Sequence, residues 1–134
     1  MARNTQLSDS SSNAACNAVG ALCNSGTLSI YAGVQPANGN TAISGQLLVQ
    51  IALQAPAFSP AVGGVANLNP TSPATAVATG TASFFRIASL LGSPLWDGSV
   101  GTSGCNLNLA SVNIAIGQPI QVSGFFIAIG EGGN

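Results

Sequence analysis

From residue 10 to residue 85 the chain carries no charged side chain. In 134 residues the only charges are Arg3, Asp9, Arg86, Asp97 and Glu131, with no His or Lys and a formal net charge of −1. Charged residues make up 4% of the sequence, against about a quarter of an ordinary soluble domain. A free monomer with so little charge has little repulsion between copies and is expected to self-associate. The alternative is a monomer solvated by its many Ser, Thr, Asn and Gln side chains. Mean hydropathy is high, at +0.45.

The same scarcity excludes partners and chemistry. Two arginines far apart cannot neutralise a run of phosphates, so neither nucleic acid nor an anionic membrane is an expected partner. Without His or Lys there is no Ser–His or Ser–Lys nucleophile pair. Of the three acids, Asp9 reads as a helix cap, Asp97 as a turn residue and Glu131 as part of a Gly-rich tail, so a two-carboxylate site is not expected. Cys16, Cys23 and Cys105 have no CxxC or Cys/His spacing, so no zinc pattern is present. The glycines form no GxGxxG or Walker sequence. No catalytic, cofactor or metal residue is therefore assigned.

Cys16 and Cys23 are seven residues apart. On a helix that is about 10.5 Å along the axis, beyond the roughly 7 Å reach of a disulfide. Free buried thiols are the expectation, with Cys105 bonded to one of the other two as the alternative. No apolar run approaches the roughly 18 residues that span a bilayer; Phe125-Phe126-Ile127-Ala128-Ile129 stops at Gly130. Met1-Ala-Arg-Asn-Thr-Gln has no apolar region behind its basic residue, so no secretory signal is expected.

The length is that of a single domain. Residues 1–7 read as a flexible arm, 8–129 as one helix-plus-β-sandwich domain and 130–134 as a flexible tail. Good N-cap residues follow Leu7 in Ser8-Asp-Ser-Ser-Ser12. Ala15, Cys16, Val19, Leu22 and Cys23 then recur at helical spacing until Asn24-Ser25-Gly26. The spacing predicts one short helix over roughly 10–24, weakened by Gly20, with an apolar stripe on a sheet.

After Gly26 the pattern changes to period two. Leu28, Ile30 and Ala32 form one alternating set, and Leu47, Val49, Ile51 and Leu53 another. Further strands are predicted at 62–69, 76–88, 95–100, 105–109, 112–116 and 120–129, separated by Gly- and Pro-rich turns. About eight short strands argue for an all-β antiparallel sandwich or jelly roll with one short N-terminal helix. Gly80, midway along 76–88, suggests a bulge or bend that lets one strand serve two sheets. Trp96-Asp97-Gly98-Ser99 reads as a tight turn or bulge capped by Asp97.

Seven residues are interface candidates. Arg3, Leu7 and Glu131 belong to the ends. Arg86 is the one charge in mid-strand, facing opposite to Phe85 and Ile87; it is either a solvated outer-face residue or an interface arginine. Tyr31 and Trp96 divide in the same way between packing and anchoring. Leu48 points away from Leu47, Val49 and Ile51, as an exposed hydrophobe.

Four segments in fixed order carry a resemblance: Leu28-Ser-Ile-Tyr-Ala-Gly-Val-Gln-Pro36, Pro56-Ala-Phe58, Ala78-Thr-Gly-Thr-Ala-Ser-Phe-Phe-Arg-Ile87 and Asp97-Gly-Ser-Val-Gly-Thr-Ser-Gly-Cys-Asn-Leu-Asn-Leu109. Over about residues 7–129 the chain resembles the small decoration, or cement, proteins of tailed-bacteriophage heads. It departs from them in Leu90-Leu-Gly-Ser-Pro-Leu-Trp96, which is more apolar than a polar turn, and in Cys105, which replaces a small residue. The resemblance implies a jelly-roll-like fold and no catalytic or cofactor residues. It also implies the major capsid protein and symmetric copies of the chain as partners, and a place on the virion capsid surface after synthesis in a host cytoplasm. The competing readings are a receptor- or carbohydrate-binding tail-fibre sandwich, for which one Trp and one Tyr make a thin platform, and a tail-tube or connector subunit.

Overall fold

The computed structural model describes residues 7–122 and 124–129. The expected arm, apart from Leu7, and the expected tail lie outside the described residues, and Arg3 and Glu131 with them.

Helix α1 spans Asp9–Leu22. Its N-cap is Ser8, not Asp9: the backbone of Ser8 is extended and its hydroxyl oxygen accepts the Ser11 N–H at 3.2 Å. Asp9 occupies the first turn, where a negative charge complements the unpaired N–H groups. The last turn closes with the Cys23 N–H on the Gly20 carbonyl at 3.1 Å and the Asn24 N–H on the Ala21 carbonyl at 3.3 Å, and Ser25 then takes φ 58° to turn the chain into the first strand. The buried stripe matches the expected one in part: Cys16 and Cys23 are in it, but small and polar residues join them and Leu22 does not. Ser12, Cys16 and Gly20 are buried, Val19 is half-buried, and Leu22 is 56% exposed. Small residues face inward because the neighbouring chain approaches closely: the Cys16 thiol lies 3.6 Å from the Ile127 carbonyl.

The strands are β1 (Thr27–Ala32), β2 (Gln46–Ala52), β3 (Val65–Asn67), β4 (Ala74–Thr75), β5 (Gly80–Thr81), β6 (Phe84–Ala88), β7 (Pro94–Gly101), β8 (Leu107–Asn108), β9 (Asn113–Ile114), β10 (Pro119–Ile120) and β11 (Phe126–Ala128). The architecture is all-β with one helix, in more and shorter strands than the eight expected. One sheet has the order β2-β1-β6-β7-β8, antiparallel except for the two-residue parallel pairing of β7 with β8. The other strands form two-stranded antiparallel ladders, β10 with β4, β11 with β3 and β5 with β9. The run 76–88 does serve two ladders, 80–81 pairing with β9 and 84–88 with β1 and β7. The break between its strands falls at Ala82–Ser83 rather than at Gly80; there Ser83 donates its N–H to the Tyr31 carbonyl at 2.9 Å and its hydroxyl to the Gly33 carbonyl.

Register sorts the sheet residues into cross-strand rows on alternate faces. Ile51, Leu28, Ile87 and Trp96 form one inner row, and Val49, Ile30, Phe85 and Gly98 another. Between them, Gln50, Ser29, Arg86 and Asp97 form a polar row on the outer face. Inside, the Phe85 ring meets Phe125 edge-on at 5.3 Å, and Phe125 meets Phe58 at 6.2 Å. Phe58 in turn rests on Gly20 of α1, so an aromatic relay joins sheet to helix. On the outer face Tyr31 stacks on Phe84 at 5.1 Å, and Gly45 of the β1–β2 connection packs against the Phe84 ring.

Leu48 departs from strict alternation: it is completely buried. The pairing runs Ile30 with Val49 and then Tyr31 with Leu47, which leaves Leu48 as the extra residue of a β-bulge. The segment before β5 covers it. Val77 donates its N–H to the Leu48 carbonyl at 2.7 Å, and the space a Cβ on Gly80 would need is taken by the Leu48 side chain.

Three asparagines of the helical segment hold the connection that follows β2. Asn24 accepts the Ala57 N–H at 2.9 Å, Asn17 the Ala61 N–H at 2.8 Å and Asn13 the Gly64 N–H at 2.8 Å. Their spacing places Asn13 and Asn17 one turn apart on one face and Asn24 two turns further. Neutral amides thereby satisfy backbone donors that have no strand partner.

Candidate assembly surface

Arg86 and Asp97 are opposite each other on β6 and β7. The guanidinium grips the carboxylate with two bonds, Nε to Oδ1 at 2.6 Å and Nη2 to Oδ2 at 2.9 Å. Nη2 also donates to the Thr41 carbonyl at 2.6 Å and lies 3.4 Å from that of Asn38. The side chains are 12% and 4% exposed, so the pair is largely withdrawn from water, and the carboxylate bond raises the Arg86 pKa above its ordinary value. Arg86 is thus neither freely solvated nor an open interface group: it ties the β1–β2 connection down on the outer face of the sheet. Asp97 is no turn cap either, because residues 96–99 lie in the middle of β7.

Of the other candidates, Tyr31 is half-buried on Phe84 and shares a shallow recess with Arg86, Ser29 and Gln50. Trp96 is half-buried on the opposite face, in a cleft with Val19, Leu95, Phe125 and Ile127. Leu7 is 39% exposed just ahead of α1. Tyr31 and Arg86 are brought together; Trp96 and Leu7 belong to separate places, and Leu48 is inside.

Sequence reasoning assigned no role to the most exposed apolar feature. The turn between β6 and β7 is closed by Ser89 N–H to Ser93 O at 2.9 Å, Gly92 N–H to Ser89 O at 2.9 Å and Ser93 N–H to the Ser89 hydroxyl at 3.2 Å. Gly92, at φ 88°, supplies a conformation that side chains resist. On this fixed tip Leu90 is 69% and Leu91 93% exposed. The signal was present as the apolar Leu90–Trp96 run. A second exposed pair, Val77 and Ile116, lies where Gly117 N–H meets Ala76 O and Ile116 N–H meets the Thr79 hydroxyl, both at 2.9 Å. Val34, Val62 and Phe126 are also exposed.

Cys16 and Cys23 are buried, Cys105 is half-buried, and all three thiols are free. Burial pushes the Cys23 thiol up to about 12. Cys105 packs its sulfur where a Cβ on Gly101 would sit, which fits a larger residue into the tight β7–β8 loop. Among the described residues no three His, Cys, Asp or Glu side chains come together, and no helix is long and apolar enough to cross a membrane. No family model, curated protein or solved structure matches the chain.

Proposed function

We propose that the chain is a non-enzymatic structural subunit of a phage virion: a cement protein of jelly-roll type that sits on the capsid surface, binding the major capsid protein and neighbouring copies of itself. The observation that carries this reading is the hydrogen-bonded, chargeless tip with Leu90 and Leu91 exposed on a chain of net charge −1. Isolated exposed hydrophobes are ordinary. Here they stand on a surface with almost no charge to keep copies apart, and their turn is already ordered, so little entropy is lost when it docks. Covering apolar surface recovers about 25 cal/mol per Å², and a standard interface covers about 800 Å² on each partner.

The test is occupancy on empty shells of the purified protein and of a Leu90→Ser, Leu91→Ser double variant. Both residues are exposed, so the variant keeps its unfolding midpoint. It loses roughly tenfold or more in affinity, as expected for two leucines withdrawn from water. An intact chain that stays a monodisperse monomer and leaves shells bare would overturn the reading.

A further inference from the structure

Asn38-Gly39 is the one Asn-Gly pair in the sequence. It stands on the β1–β2 connection, with Asn38 exposed and Gly39 half-buried against the backbone of Leu95 and Trp96. The Asn38 side-chain oxygen accepts two donors, the Asn40 N–H at 2.9 Å and the Thr41 hydroxyl at 3.2 Å. Its main-chain carbonyl accepts the Thr41 N–H at 3.1 Å. The Gly39 N–H makes no backbone hydrogen bond among the described residues, and without a Cβ nothing on Gly39 itself shields that nitrogen.

We propose that Asn38 is a self-modification site, at which the folded turn promotes succinimide formation and deamidation. The Gly39 nitrogen gives its proton to solvent base and attacks the Asn38 side-chain carbonyl carbon. The electron pair of the C=O bond moves onto the side-chain oxygen, giving a tetrahedral oxyanion. The side-chain nitrogen takes a proton back from solvent, and collapse of the oxyanion re-forms C=O and breaks the bond to that nitrogen, which leaves as ammonia and leaves a five-membered imide. Water then opens either carbonyl of the ring, giving aspartate or isoaspartate. Solvent supplies the only co-reactant, and nothing is oxidised or reduced.

The fold contributes at the oxygen. The Asn40 N–H and the Thr41 hydroxyl are held at the atom on which negative charge develops, and donors fixed in that way stabilise an oxyanion without reorganising. The asparagines of α1 provide the contrast, since Asn13 and Asn17 are followed by alanines whose nitrogens are committed to the helix. The product matters because it adds a carboxylate to a chain of net charge −1. The new charge appears where the Asn38 carbonyl is 3.4 Å from Arg86 Nη2, beside the Arg86–Asp97 pair. An isoaspartate also reroutes the backbone and displaces the Thr41 carbonyl from Arg86.

The experiment incubates the full-length protein at mildly alkaline pH, folded and in denaturant, and follows amide-to-acid conversion at each asparagine by peptide mapping. The folded chain is expected to convert at Asn38 ahead of every other asparagine, and faster than the denatured chain does at the same position. Thr41→Val keeps the Thr41 carbonyl that holds Arg86 and removes one donor to the oxyanion. It should slow conversion roughly fivefold, the effect of one ordinary hydrogen bond. An Asn38 that persists in the folded chain while the denatured chain converts would overturn the proposal. So would a Thr41→Val variant that converts at the wild-type rate.

Discussion

Gly98 and Gly20 both face a phenylalanine, and the available space decides what a methyl group does at each. A Cβ at Gly98 would lie 2.4 Å from Phe85 Cε1, whereas one at Gly20 would lie 3.4 Å from Phe58 Cβ. Gly98→Ala must displace the ring that links sheet to Phe125, and is expected to destabilise by about 1–3 kcal/mol in chemical denaturation. Gly20→Ala meets ordinary van der Waals contact and gains helix propensity, so it should stabilise by up to about 1 kcal/mol. Cys23 supplies a pH dependence. Its thiol is raised from 9.0 to about 12 in the folded chain, so the folded state holds its proton more tightly than the unfolded state. The contribution is complete below pH 9 and is lost as pH rises from there toward about 12. Against a Cys23→Ala variant, the intact chain should lose stability more steeply in that window; parallel curves would refute the assignment. In thiol labelling of the native protein, half-buried Cys105 should react ahead of Cys16 and Cys23.

At the scale of elements, two polar devices replace the charges that ordinary domains use. The first is the set of asparagines that pins residues 57–64 to the helical segment. Substituting each by Ala strands a backbone donor, at a cost of about 1–3 kcal/mol where that donor is buried. Asn24→Ala, beneath a part-buried bond, should therefore cost more than Asn17→Ala, whose bond is exposed. The second is the Arg86–Asp97 clasp on the β1–β2 connection. Arg86→Met leaves Asp97 unpaired at 4% exposure, and losing one partner of a withdrawn pair costs about 3 kcal/mol. Hydrogen exchange should rise at Thr41 before it rises in β1; unchanged exchange there would show that the clasp holds nothing. Much of this level was legible: the helix, the two-residue period of β1 and of β2 from Val49 onward, and the sharing of 76–88 between two ladders all follow from residue pattern. What was not legible depended on register. Leu48 is buried because a bulge shifts it, and 96–99 is strand because it pairs residue for residue with 84–87. Nor does a sequence show that Asn13, Asn17 and Asn24 meet N–H groups more than thirty residues away.

For the whole molecule, the scarcity of charge links fold to function. Among the described residues, Arg86 and Asp97 neutralise each other and Asp9 sits at a helix start. The remaining described surface is neutral groups interrupted by exposed leucine, valine, isoleucine and phenylalanine. Association driven by such a surface should be nearly insensitive to salt between low and physiological ionic strength, because there are few charges to screen. A strong salt dependence of shell binding would point to a charged interface that the described residues do not contain. The candidate site was less legible than the fold: of the seven residues singled out, Leu48 is core, Arg86 is clasped to Asp97 on the outer face, and the Leu90–Leu91 tip had drawn notice only as an apolar departure. The most direct test of a cement role is the copy number of the chain in purified virions, by quantitative mass spectrometry against the major capsid protein. Symmetric coverage of a shell predicts copies in the hundreds, at a fixed ratio to the capsid protein; about a dozen copies or fewer per particle would contradict it and assign the chain to the tail.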